Sequence, residues 1–332
     1  MQYRDIPILK KASSRTKIGN WIKALIFLVI IVFIYFKIRE HPIKFDQVQR
    51  ILDSLLKFES LYILVVLLFL TLINWFLEAL KWQLLVGKIE KINILKSIRS
   101  VLSGLSMGFV TPHAIGDYAG RIWQLSGKNR TESLGAIMLG RAAQYFATFT
   151  FGLFGTSYLL FYKSQPGLFF ICSIGLVSLS LVAGVSMFLF FRIRFIRILE
   201  YGRLRKLKKY FKIIVQYSFG QIGHLLALSF LRYIVFGLQF FLLLSLFLIS
   251  SDYLLLIAGV TWTLFAKSTI PSFNFLSDLG VREFSALFFF SYYGADNTMV
   301  LLASFTLWCF NILIPALVGL AGIVKMKIFS RS

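Results

Sequence analysis

The chain has 332 residues, 58% of them hydrophobic and 15% charged, with a mean hydropathy of +0.78, a composition too apolar to clothe a soluble globule of this length. A formal charge of +22 would suit a nucleic-acid binder, but the Lys and Arg residues stand in short stretches beside apolar runs long enough to cross a bilayer. Nucleic acid is therefore excluded as a partner, and membrane lipids with charged head groups take its place.

In chain order, a basic tail (residues 1–19) leads into apolar spans at about 20–36, 61–80, 133–162, 168–191, 217–249 and 299–324, and a short tail, 326–332, ends the sequence. This reads as an all-α polytopic membrane protein with six crossings and a single integral domain, residues 20–325. No small-residue cleavage site follows the first apolar run, so that run is expected to be a retained helix. The segment through Lys23 holds six Lys/Arg against one Asp, and the stretch 192–212, "RIRFIRILEYGRLRKLKKYFK", holds nine against Glu200. Both are assigned to the cytoplasm by the positive-inside rule, which also sets both termini there, in a prokaryotic inner membrane.

The alternation of spans then leaves two segments that must begin and end on the same face. Residues 94–132 start and finish inside; residues 252–298 start and finish outside. Each is interrupted. The first contains "SMGFVTPHAIGDYAGRIW" (106–123), with Pro112, Gly116 and Gly120 after an apolar run; the second contains "STIPSFNFLSDLGVREFSALFFF" (268–290), with Pro271 and Gly280. Both are expected to be re-entrant hairpins of broken helix, with Pro112, Gly116, Pro271 and Gly280 at the breaks. Asp117/Arg121 and Asp278/Arg282 share a D-x-x-x-R spacing, so the chain divides into repeat one (about 20–162) and repeat two (about 168–324), entering from opposite faces. Inverted repeats of this kind build transporters that rock about a midplane site. The linkers match as well: 44–59, "KFDQVQRILDSLLKFE", sets its apolar residues at helical spacing for the outer interface, and the basic stretch after Phe191 is its inner counterpart.

Backbone that leaves the helical ladder inside a bilayer must be buried in protein or face a wet cavity, so two breaks imply an internal cavity. Ionisable groups at that depth cost about 2.5–3.5 kcal/mol on insertion scales and are paired or functional. At i,i+4 spacing each Asp and Arg can pair on one helix face. Two readings follow: the pairs staple the hairpins, or they also line a polar pathway, and the second is adopted for Asp117, Arg121, Asp278 and Arg282. Glu283 faces either Lys267 or the cavity. Arg232, mid-span, is read as a lipid-phosphate contact or a partner of a hairpin carboxylate. Glu78 stands near Lys81 and the predicted cytoplasmic end of its span, where it can snorkel. Arg141 follows the start of its span by two turns. His113 is read as a neutral turn residue, and the sequon at Asn129 falls on the cytoplasmic side. Cys172 and Cys309 lie in apolar spans without CxxC spacing, and the three histidines make no metal-ligand pattern; no cofactor or metal is expected.

"TPHAIGDYAGR", "IPSFNFLSDLGVREF" and the order of spans together resemble the transmembrane region of lysylphosphatidylglycerol synthases, a flippase-like family of multispanning bacterial and archaeal proteins, over about residues 20–325. Pro112, Gly116, Asp117 and Arg121 match its first motif, and Pro271, Gly280, Arg282 and Glu283 its second, which here carries Phe273, Asn274, Phe275 and Ser277 where glycines are usual. The resemblance implies translocation of a lipid between leaflets. The aminoacyl-transferring domain of the full-length relatives is not expected in this chain, so their synthase activity is not carried over. The leading expectation is a lipid or amphiphile flippase, not an enzyme. The alternatives are an intramembrane transferase acting on a lipid carrier, with Asp117 or Glu283 as base, and a scaffold for a separate lipid-modifying enzyme.

Overall fold

A computed structural model describes residues 58–111, 115–126, 130–199, 208–248, 252–270 and 275–328. The basic N-terminal tail, the expected span 20–36, the linker 44–59 up to residue 57, Pro112, His113, Asn129 and Pro271 lie outside these residues. The chain is helical throughout what is described: α1 (Phe58–Val86), α2 (Ile94–Val110), α3 (Ile115–Trp123), a short 3₁₀ turn (Arg130–Glu132), α4 (Ser133–Phe161), α5 (Pro166–Leu199), α6 (Lys208–Val215), α7 (Phe219–Leu248), α8 (Tyr253–Thr269), α9 (Phe275–Tyr292), α10 (Asn297–Trp308), a π-helical turn (Cys309–Leu313) and α11 (Ile314–Ile328). Tyr62–Val86, Pro166–Ser186, Phe219–Leu248 and Asn297–Ile323 are each long and apolar enough to cross a membrane.

Two boundaries differ from the sequence reading, each for a physical reason. The first described span does not end at residue 80. Glu78 and Lys81 are buried among partners instead of reaching for water, so α1 continues to Val86. The basic stretch 192–212 is not simply a loop: α5 runs on to Leu199 and α6 begins at Lys208.

Local chemistry sets the starts and stops. Asn93 caps α2 by accepting from the Lys96 amide at 2.8 Å, Asp252 caps α8 through the Leu255 amide, and Asp296 caps α10 through the amides of Thr298 and Met299. The turn from α9 into α10 passes through Gly294 at φ 77°, a left-handed conformation that glycine adopts without a Cβ clash.

α2 and α3 form an antiparallel hairpin so close that a Cβ on Gly120 would stand 2.6 Å from the Gly104 Cα, and one on Gly116 would stand 2.1 Å from the Met107 carbonyl. Thr111, which ends α2, accepts from the Gly116 amide at 2.7 Å and ties the two sides across the break. α8 and α9 make the corresponding antiparallel pair, with Phe290 against Gly259. Here Gly280 is a correction: it sits inside α9, exposed and with open space at its Cβ position, rather than at the end of a helix.

The two halves exchange contacts. α2 packs on α11, where Ser106 Oγ donates to the Ala316 carbonyl at 2.6 Å and Gly319 lets the backbones touch; α8 packs on α4, where Gly155 does the same beside Ala258 and Thr261. α1 and α7 pack on each other at the centre. Swapping the halves therefore reproduces the same pattern of neighbours. Small residues on α4, including Gly135, Ala136, Gly140, Ala143 and Ala147, permit this crowding, since close backbone approach is the main attraction between helices in lipid.

Pro315 explains the π turn. It has no N–H to return to the carbonyl of Asn311, four residues back, and the Ile314 amide reaches Cys309 instead, five residues back. The released Asn311 carbonyl accepts from Trp75 Nε1 at 3.1 Å, and Asn74 Nδ2 donates to the Asn311 side chain at 2.8 Å. The polar interruption in the α10–α11 rod is thus satisfied by α1.

Candidate functional site

A cavity of about 510 Å³ opens between the halves, walled by α1, α2, α3, α4, α7, the C-terminal end of α8 and the π turn. Its apolar wall includes Leu85, Leu105, Ile137, Phe236 and Leu264. Its polar wall carries Glu78, Lys81, Asp117, Arg121, Arg141, Gln144, Arg232, Lys267 and Asn311. Both hairpins contribute, the first through Asp117 and Arg121 and the second through Lys267, Ser268 and Ile270 next to its break.

The charges form one connected chain. Arg141 Nη2 donates to Asp117 Oδ2 at 2.8 Å, and Arg121 Nε donates to Asp117 Oδ1 at 2.8 Å. Arg121 Nη2 continues to Glu78 Oε1 at 2.9 Å. The other Glu78 oxygen lies 3.3 Å from Lys81 Nζ and 3.5 Å from Arg232 Nε. Gln144 closes the far side, its Oε1 accepting from Lys81 at 2.9 Å and from Arg232 Nη1 at 3.3 Å, while its Nε2 donates to the Ser229 carbonyl. Aromatic faces flank three of the cations: Trp82 near Arg121, Tyr118 under Arg141 at 4.4 Å and Trp75 near Arg232. The geometry ties the first hairpin to α1 and α4, and the Glu78–Arg232 and Gln144–Arg232 contacts tie that assembly to α7 in the second half.

These groups lie deep. Glu78 is eight residues inside the end of α1, about 12 Å, and Arg232 is thirteen residues into α7, about 20 Å, at 1.5 Å per residue. Arg121 and Glu78 keep 11% and 13% of their side-chain surface, whereas Arg141 keeps 35% and is the most open member. Among the described residues of the network, four cations face two carboxylates.

Of the residues expected from sequence, Asp117, Arg121 and Arg232 come together here. Arg282 does not border the cavity: it is buried on α9 and donates to Ser304 Oγ at 3.0 Å. Glu283, half-buried on the same helix, does not border it either, and Asp278 lies one turn earlier on α9. The sequence reading names Glu78 and Arg141 as isolated charges without assigning them to the site, brings in Lys81 only as the neighbour of Glu78, and does not single out Gln144. The available signal was three ionisable residues inside apolar helices, and it was discounted because Glu78 and Lys81 stand near one another and near an apparent helix end.

The family description "Lysylphosphatidylglycerol synthase TM region" matches residues 20–319. The chain belongs to this family. No curated protein and no solved structure matches the chain. As a member of the lysylphosphatidylglycerol synthase TM-region family it is an integral membrane protein, and the family's name ties it to the handling of membrane lipid.

Proposed function

We propose that the protein moves a lipid, or another amphiphile with a charged head group, between the two leaflets of the membrane. The observation that carries this reading is the cavity itself: a connected set of ionised side chains, about 12–20 Å inside apolar helices, beside an apolar wall. Such charges are costly in lipid and are retained where a polar species must pass. The head group would travel along the Asp117–Arg121–Glu78–Arg232 wall while the acyl chains stay in the bilayer.

In this reading the hairpins α2–α3 and α8–α9 enter from opposite faces as re-entrant segments, six helices cross, and both termini are cytoplasmic in a prokaryotic inner membrane. The exchanged packing of the halves supports an inverted repeat, and alternating access would consist of one half rocking against the other. The contacts to break are then Glu78–Arg232 and Gln144–Arg232. Asp278, Arg282 and Glu283 would serve the path in the opposite-facing state.

The test is leaflet exchange. Protein reconstituted into vesicles with fluorescent short-chain lipids in both leaflets should make the inner-leaflet probe accessible to an external quencher far faster than empty vesicles do. Arg232→Gln should slow that rate at equal protein incorporation. Exchange no faster than in protein-free vesicles across zwitterionic and anionic lipids, or appearance of a chemically modified lipid instead, would refute translocation and favour an enzyme.

A further inference from the structure

We infer that the cavity binds a phosphate-bearing anionic head group, a phosphomonoester above all, and that Arg141 and Arg232 are the residues that hold it while Arg121 is committed to the protein. This rests on the translocation reading and names its substrate class. Three observations lead to it.

The first is charge. Lys81, Arg121, Arg141 and Arg232 face Glu78 and Asp117, an excess of two positive charges among the described residues of the network. Beside a wall that also carries Lys267, an anionic phosphate head group, and most of all a phosphomonoester with up to two negative charges, offsets that excess. A head group bearing an added amine would enlarge it.

The second is the state of each cation. Arg121 is committed to two carboxylates by short bonds at 2.8 and 2.9 Å, and Lys81 is 3% exposed between Glu78 and Gln144. Arg232 is held loosely. Its nearest acceptors are the neutral Gln144 Oε1 at 3.3 Å and Glu78 Oε2 at 3.5 Å, and its buried Nε makes no hydrogen bond. An unmet guanidinium donor at this depth is expensive unless something arrives to accept from it. Arg141 has one carboxylate, reached through Nη2, and the most exposed side chain of the network.

The third is placement. Arg141, Gln144, Tyr145 and Thr148 follow i, i+3, i+4, i+7 along α4, and all four line the cavity. Gln144 in turn touches Arg232, so the two available guanidinium groups flank one stretch of wall. Guanidinium forks match phosphate oxygens two at a time, whereas a zwitterionic choline phosphate brings its own cation into the same electropositive space.

The test uses the full chain in detergent and measures binding by calorimetry with dihexanoyl phosphatidic acid, phosphatidylglycerol and phosphatidylcholine, the same phosphatidylglycerol esterified with lysine, and inorganic phosphate. Phosphatidic acid should bind at least tenfold more tightly than phosphatidylcholine or the lysyl ester, with phosphatidylglycerol between. Arg232→Gln and Arg141→Gln should each weaken phosphatidic acid at least tenfold while leaving phosphatidylcholine within threefold, and Arg232→Lys should recover part of the loss. Thermal unfolding of each variant confirms that it is folded. Equal affinities for phosphatidic acid and phosphatidylcholine, preference for the lysyl ester, or full affinity in both folded Arg→Gln variants would overturn the inference. Inorganic phosphate binding as tightly as phosphatidic acid would overturn the lipid as source and leave a free-anion site. Leaflet exchange without anion preference would refute this inference and spare translocation; selective phosphatidic acid binding without exchange would do the reverse.

Discussion

Exchanging Asp117 and Arg121 discriminates between an isolated i,i+4 pair and the connected network. In an isolated pair the attraction survives the exchange, and the double variant should be more stable than either single one. In this structure it should be less stable. Asp117→Asn removes the carboxylate shared by Arg121 and Arg141, and Arg121→Gln removes the cation shared by Asp117 and Glu78. Breaking a buried pair costs about 3–5 kcal/mol, and each single variant should fall near the low end, because Arg121, Asp117 and Glu78 each keep another ionic partner and Arg141, which loses its one carboxylate, is 35% exposed. The exchange sets an Arg at position 117 where Arg141 reaches at 2.8 Å, and an Asp at position 121 where Glu78 reaches at 2.9 Å. Two attractions become two repulsions, a loss of about 6 kcal/mol or more, comparable with the whole stability of an ordinary domain. Membrane yield and tryptophan-fluorescence melting in detergent are the readouts. The exchanged protein should melt below both single variants, and adding Glu78→Gln should raise it again by removing one repulsion. An exchanged protein that melts at or above the better single variant would refute the network as the source of hairpin stability.

Three further outcomes follow from the packing. Gly120→Leu should destabilise by about 3 kcal/mol or more, because its Cβ would stand 2.6 Å from the Gly104 backbone, whereas Gly280→Ala, in open space on α9, should be neutral or stabilise by up to about 1 kcal/mol; melting of the two variants side by side checks both. Trp75→Phe should cost about 1–3 kcal/mol by orphaning the Asn311 carbonyl, and adding Pro315→Ala, which restores a backbone N–H for that carbonyl, should recover part of it; additive losses would count against the account of the π turn. With Cys172 and Cys309 replaced by Ser, single cysteines at Arg130 and Asp252 should label with an impermeant reagent from opposite faces, and labelling of both from one face would sink the inverted topology.

The apolar helices were legible because each is a long run of Leu, Ile, Phe and Val, and the first break because Pro112 follows one. The pairing of Arg121 with Asp117 was legible too, since four residues on a helix is a local distance. What the sequence hid is long-range. Glu78 meets Arg121 across 43 residues and Arg232 across many more, and no periodicity reports that. Read locally, Glu78 and Lys81 look like a helix end seeking water; in the fold the same two residues are interior, and α1 runs past them. Gly280 misled for a related reason: a glycine near a break looks like its hinge, but only the neighbours show whether a Cβ would fit, and at Gly280 it would. Pro315 gave no sign of a π turn, because its effect depends on Trp75 arriving to take the released carbonyl.

The halves match in packing and diverge in chemistry, and that divergence sets where the charged network forms. Asp117 and Arg121 recur 161 positions later as Asp278 and Arg282; at the same offset from Glu78 stands Gln239, a neutral residue. Gln239 is fully buried and donates to the Leu67 carbonyl and Thr71 Oγ1 of α1, so the second half uses that position to hold the central α1–α7 pair together. In the first half the carboxylate instead draws Arg121, Lys81 and Arg232 to one point. Arg282, at the place of Arg121, donates to a serine hydroxyl and stays inside the helix packing. A fold with near-equivalent halves would allow two equivalent polar pockets; the replacement of Glu78 by an amide at the related position removes the anchor around which the second would form. The network of charges therefore lies to one side of the pseudo-symmetry, against the first hairpin, with Arg232 as the second half's contribution to it.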